Sequence, residues 1–246
     1  MKFSIITVSY NSAKTIQQTI ESVLSQNYTN LEYIVIDGAS QDGTLKILEN
    51  YKERIKYISE PDKGIYDAMN KGIKIATGDF IGTIGSDDFY PNTQVISDVA
   101  AYLTKTKSDS LYGDIQFVNP GNESKIVRNW KAGEYNIKKW LHGWMPPHPT
   151  FYIKKNIIIN LGGFNTTFKC SGDYELMLRI LYKNKISTTY LPQILMTMRN
   201  GGTSTATYKH RLTANKEDRL AWKLNNIKPR FYTLFWKPIS KISQIF

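Results

Sequence analysis

Four residues of this 246-residue chain, Gly85-Ser86-Asp87-Asp88, set two adjacent carboxylates directly after an apolar run, Phe80–Ile84. The run reads as a buried strand, so the doublet sits at a strand's C-terminal end. Neighbouring carboxylates there repel each other and are costly to bury without a positive partner. A divalent cation carrying a diphosphate is one such partner, because hard cations take oxygen ligands. Ligands of open α/β sheets bind at that same edge. The plain alternative is an Asp-rich turn in which Ser86 or Asp87 caps the helix after Pro91.

Two other segments carry polar groups after apolar runs. Ile34-Val35-Ile36-Asp37-Gly38-Ala39-Ser40 ends a second strand on Asp37, a carboxylate able to accept donors from a base or ribose. A turn or N-cap role is its alternative, and Asp42, followed by Gly43, reads as a cap. The Ser59–Gly72 stretch then clusters small and polar residues at a helix start. Such an N-terminus faces anions, and Lys63 adds positive charge; a capped amphipathic helix is the alternative. No G-x-G-x-x-G or G-x-x-x-x-G-K-[ST] pattern is present, which disfavours a dinucleotide fold or a P-loop.

The elements that must position these groups are legible from periodicity. Strand signals at Phe3–Ser9, Leu31–Asp37, Ile55–Ser59 and Phe80–Ile84 alternate with helical faces. Those faces are Ala13, Ile16, Ile20, Val23 and Leu24; then Leu45, Ile47, Leu48 and Tyr51; then Ile65, Met69, Ile73 and Ala76. The β-α-β-α-β-α-β order predicts an α/β fold, a mostly parallel sheet with helices on both faces. Further on, Asn92–Leu103 reads as a helix, Leu111–Val118 as a strand and 119–150 as irregular. Ile153–Asn160 and Tyr174–Tyr182 read as helices, Thr188–Leu191 as a strand and 207–226 as a charged helix. One domain, 1–205, with a C-terminal extension, 206–246, is expected.

Charge divides the chain. The formal net charge is +11, yet residues 1–120 hold 11 Lys+Arg against 15 Asp+Glu, and residues 121–246 hold 21 against 6. An acidic half suits a metal-bound ligand and a basic half suits an anionic surface or substrate. A single cysteine, Cys170, excludes an internal disulfide framework and suits a reducing compartment. The N-terminal run is too short for a secretory leader, and no stretch reads as membrane-spanning. From Tyr208 onward, nine Lys+Arg face two acids and interleave with Trp222, Phe231, Trp236 and Phe246. That mixture suits an anionic membrane surface; packing of the tail on the domain is the alternative. No basic helix reads as a nucleic-acid recognition element.

Taken together, Ser4–Asn11, the Asp37 segment, Asp62–Gly72, Ser86-Asp87-Asp88 and Ser171–Arg179 resemble, in order and spacing, the family 2 glycosyltransferases. The likeness covers roughly residues 1–200. It implies a GT-A fold, Rossmann-like, with 1–118 as the nucleotide-sugar half and 119–205 as the acceptor half. It implies that Thr7, Ser9 and Tyr10 line the nucleotide pocket, that Asp37 reads the base, and that Lys63, Asn70 and Asp87 also meet the donor. Asp88 resembles the metal ligand, for Mg²⁺ or Mn²⁺, and Asp173 the catalytic base. His148, in Pro146-Pro147-His148-Pro149, resembles a position the family often fills with histidine. His148, Trp144 and Arg199 are the candidates for acceptor or diphosphate contact. The chain departs from the family pattern at Gly38, which replaces a second Asp, and at Gly172, which replaces a Glu beside the base.

The reaction so implied is inverting transfer from a nucleotide sugar, by family frequency a UDP-sugar, to a glycan or lipid-linked acceptor, on the cytoplasmic face of a membrane. A metal-dependent nucleotidyltransferase and a catalytically silent nucleotide-sugar binder are the alternatives.

Overall fold

The computed structural model describes residues 1–201 and 208–233. Its first hundred residues follow the expected alternation. Strands β1 (Phe3–Ser9), β2 (Leu31–Asp37), β3 (Lys56–Ser59) and β4 (Phe80–Gly85) lie parallel in the order β3-β2-β1-β4. Helices α1 (Ile16–Leu24), α2 (Thr44–Asn50) and α3 (Ile65–Ile75) return the chain between them. Pairing is in register at the C-terminal ends: Ser9 opposes Asp37, Asp37 opposes Ser59 and Val8 opposes Gly85. Topology therefore gathers the Asp37 turn and the acidic doublet, far apart in sequence, on one sheet edge.

Side-chain alternation explains why these strands read as continuous apolar runs. On β1, Phe3 and Ile5 pack with Ile16, Ile20 and Val23 of α1, while Ile6 packs on the other face with Met69 and Ile73 of α3. Both faces are covered, so both sets of positions are apolar. Burying one such isoleucine contributes about 1.5–3 kcal/mol, more than an exposed ion pair such as Lys52–Glu49 supplies.

The second half departs from expectation in four places. Helix α4 (Val95–Thr106) and strand β5 (Ser110–Asn119) are present, but the 119–150 stretch holds an unexpected strand, β6 (Asn122–Trp130). It pairs antiparallel with β5 across a turn at Pro120-Gly121, with Gly121 at φ +80°. β6 is mostly exposed along its length, so it lacks the apolar alternation that announces a strand. At Ile153 a helix was expected, but β7 (Tyr152–Lys154) comes first, held antiparallel between β4 and β5; α5 (Lys155–Asn160) then follows. Helix α6 (Gly172–Met177) opens on Gly172 and gives way to a π turn over Leu178–Lys183. Strand β8 (Thr188–Arg199) runs well past Leu191 along β5, with register shifts that absorb Pro192 and its neighbours.

Helix α7 (Tyr208–Leu224) belongs to the same packed body. Its Ala221 and Trp222 are fully buried among Trp140, Tyr174 and Tyr182, with the Tyr182 and Trp222 rings 5.3 Å apart. The boundary expected near residue 205 falls in 202–207, and the aromatic tail beyond 233 falls in 234–246, both outside the described residues.

Candidate functional site

At the β1–β2 end the hydrogen bonds reassign two expected contacts. Asp37 is fully buried, and its carboxylate accepts from Ser9 Oγ at 2.9 Å, Ser40 N at 2.9 Å, Ser40 Oγ at 2.6 Å and Ser59 Oγ at 2.7 Å. With four donors already on it, Asp37 ties three strand ends together and does not present its oxygens to a base. Thr7 is also fully buried, its hydroxyl 2.9 Å from Tyr33 Oη, so its side chain lies inside the layer and not in a pocket. Ser9 acts through Asp37. Tyr10, by contrast, is 66% exposed.

The loops carrying Tyr10 and Gly38 are zipped together. Asn11 N donates to Ser40 Oγ at 2.8 Å, Gln41 N to Asn11 Oδ1 at 2.8 Å and Ala13 N to Asp42 Oδ2 at 3.0 Å. Asn11 and Ala39 are held at φ +51° and +60°, a left-handed conformation that costs about 1–2 kcal/mol per residue and persists only where neighbours enforce it. Beside these loops, Gly38 stands against Asp62 and Tyr10. A Cβ built on Gly38 would stand 2.7 Å from Asp62 Oδ2 and 3.4 Å from Tyr10 Cδ2. The other oxygen of Asp62 accepts from Gly64 N at 2.8 Å, at the start of α3. Asp62 was not among the expected site residues; the signal for its placement was the glycine at 38, whose missing side chain makes room for it. Lys63, next to it, is exposed, and its N–H donates to Asp67 Oδ2 at 3.0 Å.

At the end of β4 the two carboxylates fold back toward Gly85. A Cβ there would meet Asp88 Oδ2 at 2.7 Å and Asp87 Oδ1 at 3.0 Å. Asp88 is 4% exposed. Burial first, and then the charge of Asp87, push its carboxyl up to about 8, with Arg199 pulling the other way. The turn is braced from α1 and β8. Thr19 Oγ1 donates to the carbonyls of Ser86 at 3.1 Å and Asp88 at 2.7 Å, and the Ser12 and Ser86 hydroxyls are 2.9 Å apart. Arg199 donates to the Asp87 carbonyl and to Gln18 Oε1, pairs with Glu123 at 3.1 Å and lies 5.2 Å over the Phe89 ring. Arg199 thus braces the acidic turn, next to the place where the expected acceptor or diphosphate contact would fall.

The doublet suits a hard cation: its donors are all oxygen, they converge, and the buried member lacks enough positive charge to ionise readily. Among the described residues no group of three or more His, Cys, Asp or Glu could hold a metal by itself. Substrate phosphates and water would have to complete the shell, as is usual for Mg²⁺.

Asp173 lies in the first turn of α6, half-buried. Tyr66 Oη stands 3.5 Å from Asp173 Oδ1, and the Tyr66 ring stacks on Phe164 at 5.5 Å. That ring explains Gly172, because a Cβ there would lie 2.6 Å from Tyr66 Cε2. His148 sets its ring edge-on to Phe164 at 5.7 Å. Burial holds its imidazole below the ordinary histidine range, against the pull of the Asp173 charge. Asn70 was expected at the donor, but its amide clasps the Phe164 backbone, donating to O and accepting from N, both at 2.8 Å. Trp144 packs against Tyr112 and Tyr135, with Lys139 Nζ 4.9 Å over its ring.

The sequence model of Glycosyl transferase family 2 matches residues 4–184. The chain belongs to that family. An Escherichia coli family relative, named UDP-Glc:alpha-D-GlcNAc-diphosphoundecaprenol beta-1,3-glucosyltransferase WfgD, is 31% identical over 233 residues, or 94% of this chain and 90% of that protein. A PGL/p-HBAD biosynthesis glycosyltransferase of Mycobacterium bovis (strain BCG / Pasteur 1173P2) is 27% identical over 198 residues, 77% of this chain and 73% of the relative. Among solved structures, S. aureus TarS 1–349 with UDP-GlcNAc superposes with a TM-score of 0.73 at 23% identity over 92% of this chain, which spans 65% of that structure. A Pyrobaculum calidifontis mannosyltransferase with GDP-Man and Mn²⁺ gives 0.67 at 16% identity, over 98% of this chain and 73% of the other. At such identities the likeness is one of fold, and that fold is GT-A.

Proposed function

We propose that this family 2 member transfers a sugar from a UDP-sugar to a hydroxyl of a lipid-linked glycan, with inversion at the anomeric carbon. The observation that carries the reading is the pair of carboxylates converging over Gly85 with the buried Asp88 held up to about 8. A carboxyl so placed is matched to a positive partner that arrives with the substrate.

Asp88, with Asp87 alongside, would hold Mg²⁺ or Mn²⁺. When bound, that ion supplies the charge that stabilises a departing diphosphate. Tyr10 offers an exposed ring for the base to stack on. Asp62, not Asp37, supplies the base-reading carboxylate: its Oδ2 lies beside Gly38 and Tyr10, where it can accept the N3–H of a uracil. Asp87 faces the donor's ribose or sugar, and Lys63 can meet the phosphates. Asp173 accepts the proton of the attacking hydroxyl, and attack opposite the leaving group inverts the centre. General base catalysis of this kind contributes about 10²–10⁴-fold. His148 and Tyr66 frame that carboxylate on the acceptor side.

The lipid-linked acceptor and the UDP-sugar are supported by the name of the E. coli relative, and UDP also by the nucleotide bound to TarS. Among the described residues no helix is long and apolar enough to cross a membrane. Peripheral attachment to the cytoplasmic face, through the basic C-terminal residues, fits the charge of the second half.

The test is a panel of nucleotide sugars with Mn²⁺, read by thermal shift and by product. A UDP-sugar should raise the melting temperature by mass action and release UDP when a GlcNAc-diphospholipid acceptor is added. Pyrophosphate release when UTP and a sugar 1-phosphate replace the nucleotide sugar would make the protein a nucleotidyltransferase, and binding without turnover a silent binder.

A further inference from the structure

Helix α7 reaches across to the segment that carries Asp173 and holds it at four successive points. Glu217, 9% exposed, accepts three consecutive backbone N–H groups: Lys169 on Oε1 and Cys170 and Ser171 on Oε2, each at 2.8 Å. Ser171, the residue at the start of α6, makes no capping bond to its own helix; its hydroxyl donates to the Ala214 carbonyl of α7 at 3.3 Å. On the far side of Asp173, Trp222 Nε1 donates to Tyr174 Oη at 2.9 Å, and Asn225 Nδ2 donates to Glu175 Oε1 at 3.0 Å. Residues 169–171 and 174 are thus bonded to α7, and 175 to Asn225 just past its end, while the Asp173 side chain between them is half-buried.

We propose that Glu217 is the positioning residue for Asp173, with Trp222 and Asn225 completing a clamp. This rests on reading Asp173 as the base. The physical case is the directness of the linkage. Three adjacent N–H groups converging on one carboxylate fix the peptide planes of 169–171, and so fix where the chain enters α6. Charge-assisted bonds of this sort are the strong ones. Among the described residues, the hydrogen bond that orients the Asp173 side chain is the long Tyr66 contact at 3.5 Å, so its aim depends on its backbone. A displacement of about 1 Å in a reacting group can cost about 100-fold in rate. The proposed donor groups, Tyr10, Asp62 and Asp88, sit at the ends of β1 and β4 and just before α3, none of which these bonds touch. The clamp therefore governs transfer separately from nucleotide binding.

The experiment compares Glu217→Ala, Glu217→Gln and Trp222→Phe with the intact chain. Affinity for UDP with Mn²⁺ is read by calorimetry. Transfer is read with the most active donor and acceptor from the panel, UDP-glucose and a GlcNAc-diphospholipid being the first pair. Glu217→Ala should lower kcat about 10- to 100-fold, with UDP affinity and donor KM within about twofold. Glu217→Gln, which keeps one acceptor oxygen for Cys170 and Ser171 but turns its NH2 toward the Lys169 N–H, should recover part of the rate. Trp222→Phe, which loses the bond to Tyr174 and leaves a small cavity, should lower kcat several-fold while the melting temperature falls by only a few degrees. If Glu217→Ala does not fold, the Gln and Phe variants carry the comparison. A kcat for Glu217→Ala within twofold of wild type, a fall in UDP affinity matching the fall in kcat, or no recovery by Gln would each overturn the clamp. Asp173→Asn separates the two ideas: if it turns over normally, the base assignment fails, whereas an inactive Asp173→Asn beside an active Glu217→Ala removes the clamp alone.

Discussion

Gly38 and Asp62 share one space: a side chain at 38 would run into Asp62 Oδ2 at 2.7 Å. A family position usually filled by an acid is empty in this chain, and an acid from the start of α3 occupies the gap. Asp62→Asn should weaken UDP binding by roughly 10- to 100-fold, because a hydrogen bond to a charged group contributes about 1.5–3 kcal/mol. Gly38→Asp alone should bind poorly from crowding and like charge. Gly38→Asp combined with Asp62→Gly should recover binding, since it moves the same carboxylate to the other side of the same space. Calorimetry on the three variants checks the set, and wild-type affinity in Asp62→Asn would remove Asp62 from the pocket.

Asp88 places a buried carboxylate beside Asp87, to the detriment of the fold unless a cation is present. Asp88→Asn keeps the shape and removes the repulsion. It should raise the melting temperature of metal-free protein by a few degrees, given roughly 2–4 °C per kcal/mol for a chain of this size. It should also abolish the further rise that UDP with Mn²⁺ gives. Loss of melting temperature in the metal-free variant would show that Asp88 contributes to the fold itself.

Asn70 holds Phe164, and Phe164 in turn supports the Tyr66 and His148 rings. Asn70→Ala removes both clasp bonds and leaves a backbone pair short of partners, which costs about 1–3 kcal/mol. Transfer should fall further than UDP affinity does. Equal loss of both would point back to a direct donor contact by Asn70.

Acid stability has a local source away from the site. Glu32 is buried, which raises a carboxyl, but donors from Lys56, Ser4 and Thr77 more than offset this and hold it at about 2, from an ordinary 4.5. A carboxyl lowered in the folded state binds fewer protons than in the unfolded chain, so its stabilisation is complete above pH 4.5 and is lost as pH falls toward 2. Glu32→Gln should lower the melting temperature at pH 7 and flatten its fall between pH 4.5 and 2. A parallel fall in both proteins would contradict this.

Much of this was readable in the sequence because the first four strands are buried on both faces, so each apolar run announced itself. The doublet was visible as acids placed after a strand, and Asp173 came from the likeness of Ser171–Arg179 to the family's pattern. The rest was hidden for physical reasons. β6 is a polar edge strand, and only its Pro120-Gly121 turn marked it. Asp37 and Thr7 looked available because sequence shows a polar residue but not the partners that consume it. Asn70 and Arg199 were likewise already engaged, one with Phe164 and the other with the acidic turn. Glu217 lies more than 40 residues from the segment it holds, and no spacing rule links them.

Where nucleotide and metal bind is the most direct test of these assignments. A crystal structure of the full chain with UDP and Mn²⁺ should show the ion on Asp88, the base against Tyr10 with its N3–H on Asp62, and Asp37 still enclosed by its serines. Nucleotide and ion found away from the C-terminal ends of β1 and β4, or a base read by some other group with Asp62 turned outward, would contradict it.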